Sequence, residues 1–531
     1  MSGERWTKGR VTGKLSVSIQ LSKDAMRESS VSSRLRPSDG TLIWLTGLAF
    51  TLEHIATSSR YGFHRDELLT YSNARHLDWC YVVYPPLTAW LARAELAIFG
   101  ANLTGFRFCA AVAIGLLIVL TGLTARAFGG SSRAMLVAAI AAAIEGPIIF
   151  SGSFLSYMTF DQLWWVAVAW STVCMLRSKN PRWWLGIGTA IGLGILTKYT
   201  MVFFVAGLLG GMLLTPNRRY LRCPWFWCGV GVASVITLPV VIWQLQHHLV
   251  GLAWMQSIHT RDLHLGSTNY FLPGQLWRTT NPVTVPLWLA GLWFLFATPA
   301  GKPFRMLGWM YVIPLVLFLA ARGRDYYLSP AYPMLMAAGA VWAELQLTSL
   351  SPRWRSAAIR TTWIFLAIGG LVSYALVVPI APINSTWWRI ADRANNSFNL
   401  EIGWPELAAT VARVRDSLPA SKRAALGVLA FDEGEAGAVN LYGRAYGLPE
   451  AISGVNSNWL RGYGNPPPQT IIAVGFTRDE LSRMFASCTW AANLPHPYGV
   501  VNDAIDQADV WICRDVRGDW PAFWKNFQSY G

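Results

Sequence analysis

The chain has 531 residues, 53% of them hydrophobic and only 14% charged, and 44 Lys and Arg against 29 Asp and Glu leave a net charge of +15. Soluble domains carry charge on about a quarter of their residues, so this composition excludes an ordinary soluble protein. It also excludes a nucleic-acid surface as the meaning of the basic excess, because the basic residues sit in short loops between apolar blocks of membrane-spanning length.

Residues 1–38 are polar and rich in Ser, Arg and Lys. They read as a disordered cytoplasmic N-terminus without the apolar core of a cleavable signal peptide. A transmembrane domain is expected over 39–380. Its first span, about 40–58, carries Glu53 and His54, which belong at the outer interface or facing protein or a water-filled cavity. An outer loop over 59–104 holds RDELLTYSNARHLDWCYVVYPP, which predicts roughly four helical turns from Arg65 ended by Tyr-Pro-Pro. Asp66 and Glu67 are an acidic pair there, and adjacent carboxylates beside an apolar surface suit either general-base work or a plain solvated loop.

Further spans are expected near 105–127, 133–150, 160–177, 183–197, 200–215, 224–245, 285–299, 306–321, 331–347 and 360–379, making about eleven. Every basic connection between them then lands on one face, the inner one. A second outer loop, 246–283, is long and polar and holds His247, His248, His259, Arg261, Asp262 and His264.

From 381 to 531 the composition becomes that of a soluble domain. WPELAATVARVRDSL and TRDELSRMFAS read as helices, and AALGVLAF, TIIAVGF and ADVWICRD as short buried strands, so a small α/β domain is expected. An odd number of spans after a cytoplasmic start puts it outside. Cys488 and Cys513 are its only cysteines. A disulfide in an oxidising compartment and two separate buried thiols both fit. The other five cysteines follow no metal-ligand spacing.

This topology brings four polar clusters to the outer face: Asp66-Glu67 with Tyr81 and Tyr84, then Asp161, then Lys198-Tyr199, then Arg322 to Tyr327. Each sits at a span end, where a charge serves as an interfacial anchor or as part of a shared site. Arg and Lys suit a lipid phosphate, and a carboxylate suits deprotonation of a hydroxyl.

The stretch RDELLTYSNARHLDWCYVVYPPLTAWLARAELAIFG resembles the first outer loop of the family 39 glycosyltransferases of the GT-C superfamily, which include protein O-mannosyltransferases and lipid A aminoarabinose transferases. FDQLWW, GLGILTKYT and RDYYLSPAYPMLMAAGA extend the resemblance, and EAGAVNLYG with LPEAISGVNSNWLRGYG is similar to a bacterial subgroup. The resemblance implies a polytopic α-helical membrane protein of GT-C fold with a small C-terminal α/β soluble domain. It implies a polyprenyl-phosphate sugar donor and inverting transfer to a hydroxyl acceptor at the outer face of a bacterial inner membrane.

By position Asp66 matches the family's catalytic general base, with Glu67 completing the pair, and Asp161 matches a second acidic position that organises the site. Tyr81 matches a tyrosine near the lipid phosphate, and Tyr84 stands where some relatives carry a Lys. Arg324, Tyr326 and Tyr327 match a late phosphate-binding loop, which Lys198 would join. Some relatives bind a divalent metal, for which Glu67, His259 and His264 would be the ligands here, although the five-residue spacing of the histidines fits no standard helical pair. A transporter or flippase of lipid-linked sugars and a non-catalytic envelope assembly protein are the competing readings, though the chain shows no internal repeat. The sugar and the acceptor are not written in the sequence.

Overall fold

The structure is a computed structural model and describes residues 37–505, 507 and 509–531. The expected disordered N-terminus lies outside the described residues up to residue 36, and Pro37 and Ser38 already belong to a helix. Everything from Thr46 to Gly531 forms one compact unit.

The described chain is helical to about residue 423. Its main helices are α1 (Pro37–Thr57), α2 (Arg65–Arg75), α3 (Leu87–Phe99), α4 (Phe108–Phe128), α5 (Ser132–Ala143), α6 (Gly146–Ser153), α7 (Tyr157–Ser178), α8 (Trp183–Ile195), α9 (Met201–Leu213) and α10 (Pro224–Gln246). There follow α11 (Val250–His264), α12 (Val285–Ala297), α13 (Arg305–Ala320), α14 (Tyr332–Ser349), α15 (Pro352–Val377), α16 (Thr386–Asn395) and α17 (Trp404–Asp416).

Each expected span coincides with one of these helices or with the α5–α6 pair. By length and composition, four described helices can cross a membrane: Phe108–Phe128, Pro224–Gln246, Lys302–Ala320 and Pro352–Val377. Two bent pairs, α5 with α6 at 66° and α9 with the turn Pro216–Arg222 at 107°, raise the number to six. The shorter expected spans fall below that test for a geometric reason. At 13 residues α8 and α12 are each about 20 Å long, against a hydrocarbon core of about 30 Å.

Both loops expected outside contain helices. The first contains α2 and α3, and α2 stops at Arg75, well before Pro85. The second contains the 15-residue α11, whose Ile258 is buried while Thr260 and Arg261 face outward.

Beyond α17 a five-stranded mixed sheet begins. It is built from β1 (Leu426–Ala430), β2 (Ala451–Ile452), β3 (Thr470–Val474), β4 (Phe485–Asn493) and β5 (Asp509–Val516), in the order β2-β1-β3-β5-β4. β1 pairs parallel with β2 and β3, and β5 pairs antiparallel with β3 and β4. Helices α18 (Glu433–Tyr442), α19 (Arg478–Met484) and α20 (Trp520–Lys525) accompany the sheet. The expected helix TRDELSRMFAS ends at Met484, and Phe485 opens β4, an edge strand. Cys488 and Cys513 stand directly opposite across β4 and β5 and form a disulfide.

The sheet region reaches the first outer loop through α18. A Cβ on Gly437 would lie 2.5 Å from the Leu68 carbonyl oxygen, so only glycine lets α18 approach α2 this closely. Arg461 donates to Asn73 Oδ1 at 2.6 Å, and the Val82 amide donates to Ser457 Oγ at 3.0 Å, tying the same loop down.

Candidate functional site

The acidic pair divides by direction. His64 caps α2: its Nδ1 accepts the Asp66 amide at 3.1 Å, while its own amide donates to Glu67 Oε2 at 2.9 Å. Adjacent helical residues point about 100° apart, so only one of the two carboxylates can follow the cap inward. Glu67 does and is fully buried. Its Oε1 accepts from Arg107 Nε and from the Leu155 amide, both at 2.9 Å, and Oε2 accepts from Arg107 Nη2 at 2.6 Å. Glu401 also accepts from Arg107 Nη2, at 3.2 Å. Glu67 is therefore the anchor of the loop, with no lone pair left for chemistry or for a metal.

Asp66 faces the other way, into a cavity of about 360 Å³. Among the described residues its carboxylate meets only Arg65, at 3.5 Å, and its side chain keeps 29% of its exposure. Burial acts to raise its pKa, but His64, Arg65 and Arg324 outweigh it and hold the carboxyl below the usual range. Asp66 is thus ionised, with acceptor capacity unspent.

The same lining carries Lys198, Arg261, Arg322 and Arg324 besides Arg65. Lys198, between α8 and α9, lies 4.8 Å from the ring centre of Tyr327 and 5.5 Å from those of Tyr157 and Tyr326. Asp161 stands 3.9 Å from its ammonium. Asp161 itself is buried, accepting from Trp165 Nε1 at 3.0 Å and from Thr200 Oγ1 at 2.8 Å. Arg324 gives its Nε–Nη2 fork to Asp262 of α11, both bonds at 2.6 Å, and its Nη1 to the Tyr326 hydroxyl at 3.1 Å. Three of its five N–H groups are used. Arg322 is exposed in the left-handed region at φ +47°, a conformation that non-glycine residues adopt mainly where the surroundings enforce it.

Of the residues expected from sequence, Asp66, Tyr84, Lys198, His259, Arg324, Tyr326 and Tyr327 line this one cavity. Asp161 stands behind it, and Glu67, Tyr81 and His264 are not part of its wall. Tyr81 is buried, accepting the Asp78 amide at 3.1 Å and donating to the Asn73 carbonyl at 3.0 Å, so it shapes the loop and does not meet a phosphate. Tyr84 offers its ring, stacked 5.2 Å from Tyr157, while its hydroxyl is held by Asn73 and Thr70. The metal set expected from Glu67, His259 and His264 does not fit, since Glu67 is saturated; among the described residues no three His, Cys, Asp or Glu side chains gather to hold an ion.

Sequence reasoning passed over Arg65, Tyr157, Thr200 and Glu433, all of which line the cavity. Glu433 opens α18 just before EAGAVNLYG and is 5% exposed. Burial, then the charge of Asp432, pushes its carboxyl up to about 7.

The family described as dolichyl-phosphate-mannose-protein mannosyltransferase matches residues 83–243. The lipid A galacturonosyltransferase RgtD of Rhizobium johnstonii is 27% identical over 302 residues, 54% of this chain and 60% of that protein. ArnT from Cupriavidus metallidurans, solved bound to undecaprenyl phosphate, superposes with a TM-score of 0.53 at 16% identity, over 88% of this chain and 97% of that one. The chain resembles the GT-C glycosyltransferases. It shares its fold with ArnT and is a polytopic helical membrane protein. The undecaprenyl phosphate-α-4-amino-4-deoxy-L-arabinose arabinosyl transferase 1 of Pseudomonas fluorescens is 24% identical over 231 residues, 42% of this chain and 39% of that protein. The chain thus matches 60% and 39% of the length of these two curated relatives.

Proposed function

We propose that the protein is a membrane glycosyltransferase that moves a sugar from a polyprenyl phosphate to a hydroxyl acceptor at the outer face of a bacterial inner membrane. The observation that carries this is the pairing within one cavity of an ionised, unspent carboxylate, Asp66, with a wall of cations at the ends of apolar helices. The names of the relatives, which transfer galacturonic acid or aminoarabinose, support it.

In this reading Asp66 takes the acceptor's proton as its oxygen attacks the anomeric carbon. The bond to the lipid phosphate breaks on the opposite side, so the sugar inverts. Lys198 and the remaining N–H groups of Arg324, with Arg261 and Arg322, receive the charge gathering on the departing phosphate. Asp161 keeps Lys198 in place, and the rings of Tyr157, Tyr326 and Tyr327 hold it without neutralising it. No metal enters the scheme.

About eleven spans and an external sheet region complete the reading; the Cys488–Cys513 disulfide supports an oxidising location for the sheet. The charged residues of the cavity sit at or near helix ends, which favours a transferase over a transporter. Comparing lipids, glycans and glycoproteins of cells with and without the gene by mass spectrometry tests the proposal. One class of glycan should lose a single sugar. An unchanged envelope, with no transfer by the purified protein, would sink the transferase reading.

A further inference from the structure

Resting on the transferase reading, we propose that Glu433 is a sugar-binding residue, its free carboxylate oxygen receiving a hydroxyl of the sugar carried on the polyprenyl phosphate. The outer α/β region would then supply part of the donor site and not merely cover it.

Glu433 is nine-tenths buried yet lines the same cavity as Asp66. Its Oε2 accepts from Asn456 Nδ2, which fixes the carboxylate's direction. Its Oε1 has no hydrogen-bond partner among the described residues and is not among their solvent-sealed polar atoms, so it keeps access to solvent in a residue that lines the cavity. Helix α18 does not need it: the capping box there is made by Asp432 and Glu435. A buried carboxylate oxygen left open in this way is costly unless something donates to it.

The chemistry of that donor follows from position. A carboxyl is no partner for a phosphate once ionised, and the lining holds Lys198, Arg261, Arg322 and Arg324 to suit one. Glu433 stands near Arg65 and Asp66, the base of the proposed transfer. The group held between base and phosphate is the sugar, whose hydroxyls are hydrogen-bond donors. The close approach of α18 to α2 at Gly437 keeps Glu433 at a fixed offset from Asp66.

The test uses the full-length protein in detergent and three probes: undecaprenyl phosphate, its mannose conjugate and its α-4-amino-4-deoxy-L-arabinose conjugate. Wild type should bind at least one conjugate more tightly than the bare lipid. Glu433→Ala should lose about tenfold to a hundredfold in affinity for that conjugate while binding bare undecaprenyl phosphate normally. Glu433→Gln, which keeps the shape and one acceptor oxygen, should recover part. Unchanged conjugate affinity in Glu433→Ala would overturn the proposal, including the case in which the residue serves the acceptor instead. So would an equal loss for bare lipid and conjugate with a lowered melting temperature, which is the mark of a structural role. Failure of wild type to bind the bare lipid would strike the transferase reading itself, and this proposal with it.

Discussion

Replacing Glu67 by Gln separates anchoring from chemistry. Four donors converge on the carboxylate, two on each oxygen: Arg107 Nε and the Leu155 amide on Oε1, Arg107 Nη2 and the His64 amide on Oε2. An amide of the same shape has one acceptor oxygen, so its NH₂ must face two donors. Whichever way it is turned, Arg107 loses its full counter-charge inside a sealed site. Breaking a buried pair from one side costs about 3–5 kcal/mol. Glu401, 3.2 Å from Arg107 Nη2, remains to offset part, so the lower end of that range is expected. Chemical-denaturant unfolding of the purified protein in detergent reads the loss, and transfer by the surviving folded fraction reads the chemistry. The reasoning predicts a large stability loss with much of the specific turnover kept. Unchanged stability with turnover reduced more than a hundredfold would refute it and return Glu67 to the chemistry.

Arg324→Ala should weaken binding of undecaprenyl phosphate roughly 10-fold to 150-fold by equilibrium binding, and Arg324→Lys should recover only part, since Lys cannot make the fork by which Asp262 holds the Arg324 head in place. Reducing Cys488–Cys513, which closes a 25-residue separation, should destabilise the sheet region by about 3 kcal/mol, and its thiols should alkylate in intact spheroplasts only after reductant. Burial and Asp432 raise the Glu433 carboxyl to about 7, so the native state holds a proton that the unfolded chain releases above the ordinary carboxylate range. Its contribution to stability is therefore full in acid, declines as pH rises and is lost through about 7; Glu433→Gln should flatten the fall in melting temperature between pH 5 and pH 8.

Much of the helical region was legible because apolar block length and basic loops report it directly. What sequence could not say was direction and long-range pairing. Asp66 and Glu67 are chemically alike, and only the cap at His64, which makes Glu67 the third helical residue, hinted that one turns inward. Asp262 was visible in the second outer loop, but not that it would hold the fork of Arg324, 62 residues further on. Tyr81 matched a phosphate contact by position, yet its hydroxyl closes a local turn. Glu433 was invisible for the same reason as Asp262: its neighbours Arg65 and Asp66 are more than three hundred residues away. The edge strand β4 was missed because it is mostly exposed and lacks the buried apolar run of β3.

The most direct test of the account is single-turnover transfer by purified Asp66→Asn. The substitution keeps the shape of the Asp66 carboxylate and removes its basicity. General-base assistance is worth about 10²–10⁴-fold. The transfer rate should fall by that factor, with binding of undecaprenyl phosphate and the unfolding transition both unchanged. A rate within a few fold of wild type would contradict the account.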